Sequence, residues 1–109
     1  MKTPIILTIS FLIAAPLAVR AADAKTNWAN NCAQCHGASG KGDTKMGKML
    51  NAMDLTDPIK QSSFTDAKAA EAIKDGIKQN GKTTMKAFGG KLTYDEIKAL
   101  VAYVRTLKK

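Results

Sequence analysis

Apolar residues recur at helical spacing near the end of this chain. The i, i+3, i+4, i+7 rule is met by five residues that place one face of a helix in a core: Ile97, Leu100, Val101, Val104 and Leu107. Residues Thr93 to Glu96 have the capping-box pattern, which begins a helix. The sequence therefore predicts a last helix that starts after Thr93 and is buried along one side.

Two earlier segments also favour helices. Residues 24–36 predict a short helix that ends in a cysteine-rich motif. A second helix is predicted from Asp66 to Gln79, capped by Thr65 and ended by Asn80-Gly81. The segments between them indicate loops and short helical turns, and no alternating strand pattern is visible. We predict a single all-α domain.

The N-terminus has the three parts of a secretion signal. Lys2 precedes an apolar run from Ile5 to Ala15 that continues through Pro16 to Val19. This run is too short and too proline-broken to span a bilayer, and Val19-x-Ala21 fits signal peptidase. We expect residues 1–22 to be removed and residues 23–109 to form one domain in the periplasm. An uncleaved membrane anchor is the alternative.

The net positive charge of the chain limits the kinds of molecule that it is expected to bind. The chain carries 17 basic and 9 acidic residues, a formal net charge of +8, and loss of Lys2 and Arg20 with the signal would leave +6. Such an excess suits an acidic protein surface or an anionic membrane, although an ordinary solvated surface also explains scattered lysines. Nucleic acid is not expected, because aromatic residues are sparse and no binding motif is present.

The most specific motif is Cys32-Ala-Gln-Cys35-His36, which has the CxxCH spacing of covalent haem attachment. Two thiols three positions apart lie on one face of a helical turn, where they can add to the two vinyl groups of a porphyrin. His36 then lies under the iron as an axial ligand. A disulfide between the two cysteines is the competing use in an oxidising compartment. A domain this small gains more from a buried cofactor.

His36 is the only histidine, so a sixth iron ligand must come from another residue type. Four methionines are candidates beside lysine, water or an open site: Met46, Met49, Met53 and Met85. The first three stand in a segment that has to supply apolar packing, and methionine at helical spacing is usually core filler. Met85 stands in a polar loop between two predicted helices, which favours it as the ligand.

Together these motifs resemble those of the small soluble class I cytochromes c. The most specific parts of the resemblance are CAQCHG at 32–37, GKML at 47–50, MKAFGGKLT at 85–93 and EIKALVAYVR at 96–105. The resemblance implies a cytochrome c fold of three to five short helices wrapped around one haem c, with the first and last helices crossing. It also implies covalent attachment through Cys32 and Cys35 and axial ligation by His36 and Met85.

The resemblance assigns further roles. Trp28 would pack against Leu100 and Tyr103 where the terminal helices cross, and three residues would line the haem pocket: Leu50, Ile77 and Phe88. This chain has Lys48 and Lys86 at two positions where the family often has proline. A carbonyl is still available at Lys48 for the contact with the axial histidine, whereas Lys86 would leave the methionine loop freer.

A filled His/Met site implies an electron carrier and not an enzyme, and we expect a monomer. We expect outer-sphere transfer of single electrons through an exposed haem edge. The partners would be redox proteins such as a respiratory complex, a terminal oxidase, a reductase or a dehydrogenase. Five lysines are candidates for a positive rim that steers an acidic partner: Lys41, Lys45, Lys82, Lys86 and Lys91.

Two other functions are open from the sequence. A labile Met85 would give a haem protein that senses small ligands or acts as a peroxidase. A CxxC without haem would instead serve a thiol oxidoreductase or a metal protein. Thioredoxin-like folds need strands that the pattern does not offer, and a structural zinc site needs four ligands.

Overall fold

A computed structural model describes residues 2–13 and 21–109 of the chain. Residues 2–13 form neither helix nor strand, and their large apolar side chains are exposed. Part of the predicted signal, including Val19, lies outside the described residues, so the boundary at residue 22 stays a prediction. Within the described ranges, no helix is both long and apolar enough to cross a membrane.

Helices make up most of the domain. One continuous helical run comprises α1 (Ala21–Asn27), a π-helical turn (Trp28–Cys32) and α2 (Ala33–His36). The elements that follow are α3 (Lys45–Leu50), α4 (Pro58–Ser62), α5 (Asp66–Asp75), the antiparallel strands β1 (Ile77–Gln79) and β2 (Lys82–Met85), and α6 (Tyr94–Thr106). Within the described part of the chain, these five helical runs agree with the cytochrome c fold that the resemblance implies.

Side-chain caps fix where the helices begin. The Thr93 hydroxyl accepts a hydrogen bond from the Glu96 amide at 3.2 Å, and the Glu96 carboxylate accepts one from the Thr93 amide at 3.0 Å. The predicted capping box is therefore confirmed. Thr65 caps α5, as predicted, and Thr44 and Asp57 cap α3 and α4 in the same way. Each cap satisfies an amide that the first helical turn leaves without an intrahelical partner.

The helix predicted for Asp66 to Gln79 is shorter in the structure. It stops at Asp75, because Gly76 turns the chain with φ 74° and ψ −177°, a conformation open almost only to glycine. The next three residues pair with β2 and do not continue the helix. Asn80 and Gly81 both have positive φ, 52° and 79°, which matches a tight hairpin turn and not a helix stop. The prediction that no strand is present was wrong.

The hydrophobic core forms where the terminal helices pack together. The ring centres of Trp28 and Tyr103 lie 5.5 Å apart, and Leu100 in the same cluster is fully buried. Trp28 stands on the first helical run and the other two on α6, so the crossing implied by the resemblance is confirmed. Aromatic pairs at this separation stabilise a core beyond the area that they bury.

A polar network joins α4 and α5 to α6. Gln61 is 3% exposed, and its Nε2 donates to the carbonyls of Leu55 and Val104 at 2.7 and 2.8 Å. Arg105 donates to Gln61 Oε1 at 2.9 Å and to Asp66 Oδ1 at 2.8 Å. Because its amide is satisfied by these partners, Gln61 can be buried between the helices.

Candidate functional site

Two adjoining cavities lie beside the CxxCH motif. The larger has a volume of about 410 Å³, and its walls include Cys32, Cys35, His36 and Met85. The smaller, of about 200 Å³, is almost wholly apolar and shares three of these residues with the larger one: Cys32, His36 and Met85. The larger cavity is also lined by Leu50, Ile77 and Phe88, as the resemblance implies. The structure thus brings all four predicted site residues to one space.

The helix end that carries the motif is held by the loop that follows it. The Thr44 hydroxyl lies 2.8 Å from the carbonyl oxygens of both Gln34 and Cys35. The Gly42 amide donates to the His36 carbonyl at 2.7 Å. Carbonyls at a helix C-terminus lack intrahelical donors. These contacts satisfy them and fix the main chain from which the thiol and imidazole side chains project.

The environment of His36 suits an imidazole that binds a metal. The ring is partly buried, and its Nδ1 is shielded from solvent with no hydrogen-bond partner among the described residues. Burial lowers the pKa of His36 from 6.5, and a contact with the main chain of Met53 raises it less strongly. A neutral imidazole is the form that ligates iron. The orienting contact from the Lys48 carbonyl stays a prediction.

Cys32 does not have the environment of a redox-active thiol. Both cysteines are free. Burial, and to a smaller extent the neighbouring Cys35, raises the pKa of Cys32 to about 11. Thiol oxidoreductases instead lower the pKa of one cysteine so that it reacts as a thiolate. Among the residues that the structure describes, no group of three or more His, Cys, Asp or Glu side chains is arranged to hold a metal ion. The raised pKa of Cys32 therefore does not favour a thiol oxidoreductase.

Met85 is held at the cavity from both sides along the chain. It is the last residue of β2 and pairs with Ile77 of β1. Beyond it, the Phe88 amide donates to the Ile73 carbonyl at 2.8 Å, and the next amide donates to the Lys74 carbonyl at 3.0 Å. The segment that carries the thioether is therefore anchored to the end of α5.

The other three candidate methionines do not fill the core. Met46 and Met53 line the larger cavity but are each 38% exposed, and Met49 is 68% exposed. Their sequence spacing predicts core packing, and this prediction was wrong because α3 is short and buries only Gly47. Met46 and Met53 instead line the larger cavity, and Met49 lies outside it.

Three residues that shape the site were not predicted from the sequence. Thr44 holds the helix end, Gly47 lets α3 approach Cys35, and Gly76 lets the hairpin approach the end of α5. A Cβ on either glycine would overlap main-chain oxygens. Only Thr44 has a local signal, since threonine is a preferred residue directly before a helix. The two glycines act through contacts between distant segments.

These residues fit a covalently bound haem. Two free thiols at helical spacing, a neutral imidazole and a thioether on one apolar cavity are the donors with which proteins hold haem c. The fold and the site together define a small helical domain of the covalent haem class. The sequence model of the cytochrome c family matches residues 21–108. The chain therefore belongs to the cytochrome c family, and its resemblance to the small class I members is confirmed.

Two curated relatives are oxidase subunits. The chain is 39% identical over 80 residues to the cbb3-type cytochrome c oxidase subunit FixP of Azorhizobium caulinodans, an alignment covering 73% of this chain and 25% of the relative. It is 36% identical over 87 residues to FixP of Bradyrhizobium diazoefficiens, covering 80% of this chain and 27% of the relative. The chain thus spans about a quarter of the length of these relatives.

Two solved structures share the fold along their whole length. The KustC0563 c-type cytochrome is 34% identical to this chain and superposes with a TM-score of 0.71, covering 80% of this chain and 99% of that one. A mutant of the same protein gives a TM-score of 0.68 at 34% identity, over 79% of this chain and 99% of that one. The similarity therefore extends to a complete c-type cytochrome chain.

Proposed function

We propose that this chain is a periplasmic monohaem cytochrome that carries single electrons between redox proteins. The observation that carries the proposal is the convergence of Cys32, Cys35, His36 and Met85 at one cavity. Membership of the cytochrome c family supports electron transfer as the activity. In this proposal residues 1–22 are the export signal and residues 23–109 are the mature domain.

Each site residue has one role. Cys32 and Cys35 would hold the haem by thioether bonds, and His36 and Met85 would be the two axial ligands. When bound, the haem supplies a one-electron couple between ferrous and ferric iron. The apolar walls of the cavity exclude water, which disfavours the more highly charged ferric form. Two protein ligands also leave no coordination position for a substrate.

The anchoring of Met85 favours a carrier over a sensor of small ligands. Lys86 replaces a proline that would stiffen the loop, but main-chain hydrogen bonds from the next turn to Ile73 and Lys74 hold the segment instead. A held thioether competes with external ligands for the iron. It also keeps the coordination similar in both oxidation states, which suits rapid electron exchange.

Two segments that contribute to the cavity wall contain lysines and no acidic residue. Residues 76–94 contain four lysines and residues 44–53 contain two, and neither segment contains an acidic residue. We call these six exposed side chains the lysine rim: Lys45, Lys48, Lys78, Lys82, Lys86 and Lys91. Both segments contribute residues to the cavity wall. A positive rim there would steer an acidic partner towards the haem edge.

The relatives favour a respiratory partner. Both are described as subunits of a cbb3-type cytochrome c oxidase. An oxidase, or the complex that feeds it, is therefore the partner class that we favour over a soluble dehydrogenase. Docking of this kind is weak and fast, because it relies on complementary charge more than on buried area.

Mass spectrometry and optical spectroscopy of the exported protein test the proposal. We expect the mass of the mature domain plus one haem, low-spin spectra in both oxidation states, and a methionine-to-iron charge-transfer band in the ferric form. A mature mass without the haem increment would overturn the haem assignment. Rapid CO binding by the reduced protein, with no charge-transfer band, would point to the sensor instead.

Matched variants test the ligand. Met85→Leu should abolish the charge-transfer band, since leucine keeps the volume but has no sulfur. Met46→Leu and Met53→Leu change thioethers on the same cavity and should leave the band intact. Loss of the band in either control, with retention in Met85→Leu, would reassign the ligand.

A further inference from the structure

The only tryptophan of the chain contacts the proposed axial ligand and also the residue that follows it. The centre of the Trp28 ring lies 5.7 Å from that of His36, with 36° between the ring planes. Trp28 Nε1 also donates to the Gly37 carbonyl at 3.1 Å in a buried hydrogen bond. One side chain, itself 3% exposed, therefore touches both the imidazole and the main chain next to it.

The main chain around His36 is fixed on both sides. The Gly37 amide donates to the Ala33 carbonyl at 2.8 Å, and the His36 carbonyl accepts from the Gly42 amide at 2.7 Å. Gly37 has φ 82° and ψ 158°, values open almost only to glycine. Its carbonyl accepts from the Trp28 indole. With the backbone held, rotation about the side-chain bonds is the freedom left to the imidazole, and the indole is packed against that ring.

A π-helical turn places the indole in this position. The Ala33 amide donates to the Trp28 carbonyl, five residues back, so residues 28–32 form a wider turn than an α-helix allows. Such turns are rare in proteins, and many of those that are found lie at functional sites. A regular α-helix advances roughly 100° per residue. Without the extra residue in this turn, Trp28 would face a different direction from the one that reaches Gly37.

We propose that Trp28 is a positioning residue that fixes the rotation of the His36 imidazole, and hence the orientation of that ligand on the haem iron. The inference rests on the proposed role of His36 as an axial ligand. Tyr103 packs on the indole from α6, with ring centres 5.5 Å apart and 45° between planes.

The wild type offers a first test, because its indole resonance is unique. In proton NMR of the ferric holoprotein, the Trp28 indole proton should exchange with solvent much more slowly than that of free tryptophan. Burial and the bond to Gly37 both protect it. An indole proton that exchanges as fast as in an unfolded peptide, in folded holoprotein, would overturn the proposal. This measurement does not depend on any variant folding.

Trp28→Phe then removes the donor and keeps an aromatic ring. The haem methyl resonances of ferric protein are spread by the unpaired electron, and the spread depends on the rotation of the imidazole plane. We expect Trp28→Phe to alter this pattern while the haem stays covalently bound and low-spin. Tyr103→Leu is the matched control, since Tyr103 packs on the indole and is not a donor to the Gly37 carbonyl. It should lower the thermal midpoint and leave the methyl pattern unchanged.

An unchanged pattern in Trp28→Phe, or an equal change in Tyr103→Leu, would make Trp28 a core residue only and would overturn the inference. The two levels of the proposal fail separately. Wild-type protein without covalent haem would overturn the proposed function. Covalent haem in the wild type, together with a methyl pattern that Trp28→Phe leaves unchanged, would overturn the role of Trp28 alone.

Discussion

Asn27 Nδ2 donates to Glu96 Oε2 at 2.9 Å, and this bond joins the first helix to the start of the last across 69 residues of sequence. The same carboxylate closes the capping box with Thr93. Hydrogen bonds from the Thr93 main chain and then from the Asn27 side chain favour the ionised form, so the pKa of Glu96 lies below its ordinary value of 4.5.

The first prediction concerns pH. A lowered carboxyl pKa stabilises the fold above the unfolded-state value, and that stability is lost as pH falls through the folded-state pKa. Glu96→Gln should therefore unfold at a lower temperature than wild type at neutral pH, and the gap should narrow below pH 4.5. The measurement is the thermal unfolding temperature of both proteins from neutral pH to below pH 4.5. Asp95→Asn neutralises the neighbouring carboxylate without touching Asn27. A gap that does not change with pH would contradict the assignment.

The second prediction separates backbone strain from steric overlap. Gly76 and Gly81 both have positive φ, but a Cβ on Gly76 would lie 2.5 Å from the Met85 carbonyl oxygen, whereas nothing lies within 4 Å of a Cβ on Gly81. Gly81→Ala should cost about 1–2 kcal/mol of unfolding free energy from strain alone. Gly76→Ala should cost more and weaken the methionine charge-transfer band. Denaturant unfolding and the ferric spectrum measure both, and equal effects of the two variants would contradict the prediction.

The third prediction concerns the buried amide of Gln61. Gln61→Leu keeps most of the side-chain volume but leaves the Leu55 and Val104 carbonyls without their side-chain donor and removes one of the acceptors of Arg105. Buried groups left unsatisfied should destabilise the fold by about 2–4 kcal/mol. Ser62→Ala, at the exposed next position, should change stability by no more than about 0.5 kcal/mol. Urea unfolding of the holoprotein compares them, and a stable Gln61→Leu would show that the network is dispensable.

The fourth prediction tests the lysine rim. Reversing the charge of Lys82 and Lys86 to glutamate should slow electron transfer to an acidic partner by roughly tenfold or more at low salt. The wild-type rate should fall as ionic strength rises, and the variant should depend less on salt. The double variant Lys60→Glu and Lys98→Glu, on α4 and α6 outside the rim, changes the net charge by the same amount and is the control. Stopped-flow rates that are indifferent to salt in the wild type would remove the steering role.

Local signals made much of the fold predictable. Thr93 and Glu96 are three positions apart, and the box that they form depends on no other segment. Thr65 likewise marks the start of α5 within a single turn. Cys32, Cys35 and His36 are neighbours in sequence, so their shared surface follows from helical spacing. Met85 could be picked only by its place between two helices, and the cavity puts it beside the motif.

Features set by contacts between segments were missed or misplaced. Asn80-Gly81 is a strong hairpin signal, yet glycine after a helix is also a common stop, and the sequence does not choose between them. The choice is made at Gly76, where the Met85 main chain comes too close for any side chain. The π-helical turn at Trp28–Cys32 was missed for a related reason, since the same residues fit an α-helix equally well.

The bond between Asn27 and Glu96 also joins the two ends of the segment that forms the cavity. Every residue that lines the larger cavity lies between them in sequence, from Asn31 to Phe88. Closing a long loop is costly in chain entropy, but that cost rises only slowly with length. A cut within α6 would therefore do more than shorten one end. It would also weaken the helix that presents Glu96 to Asn27, and with it the bond between the two ends of the segment that forms the cavity.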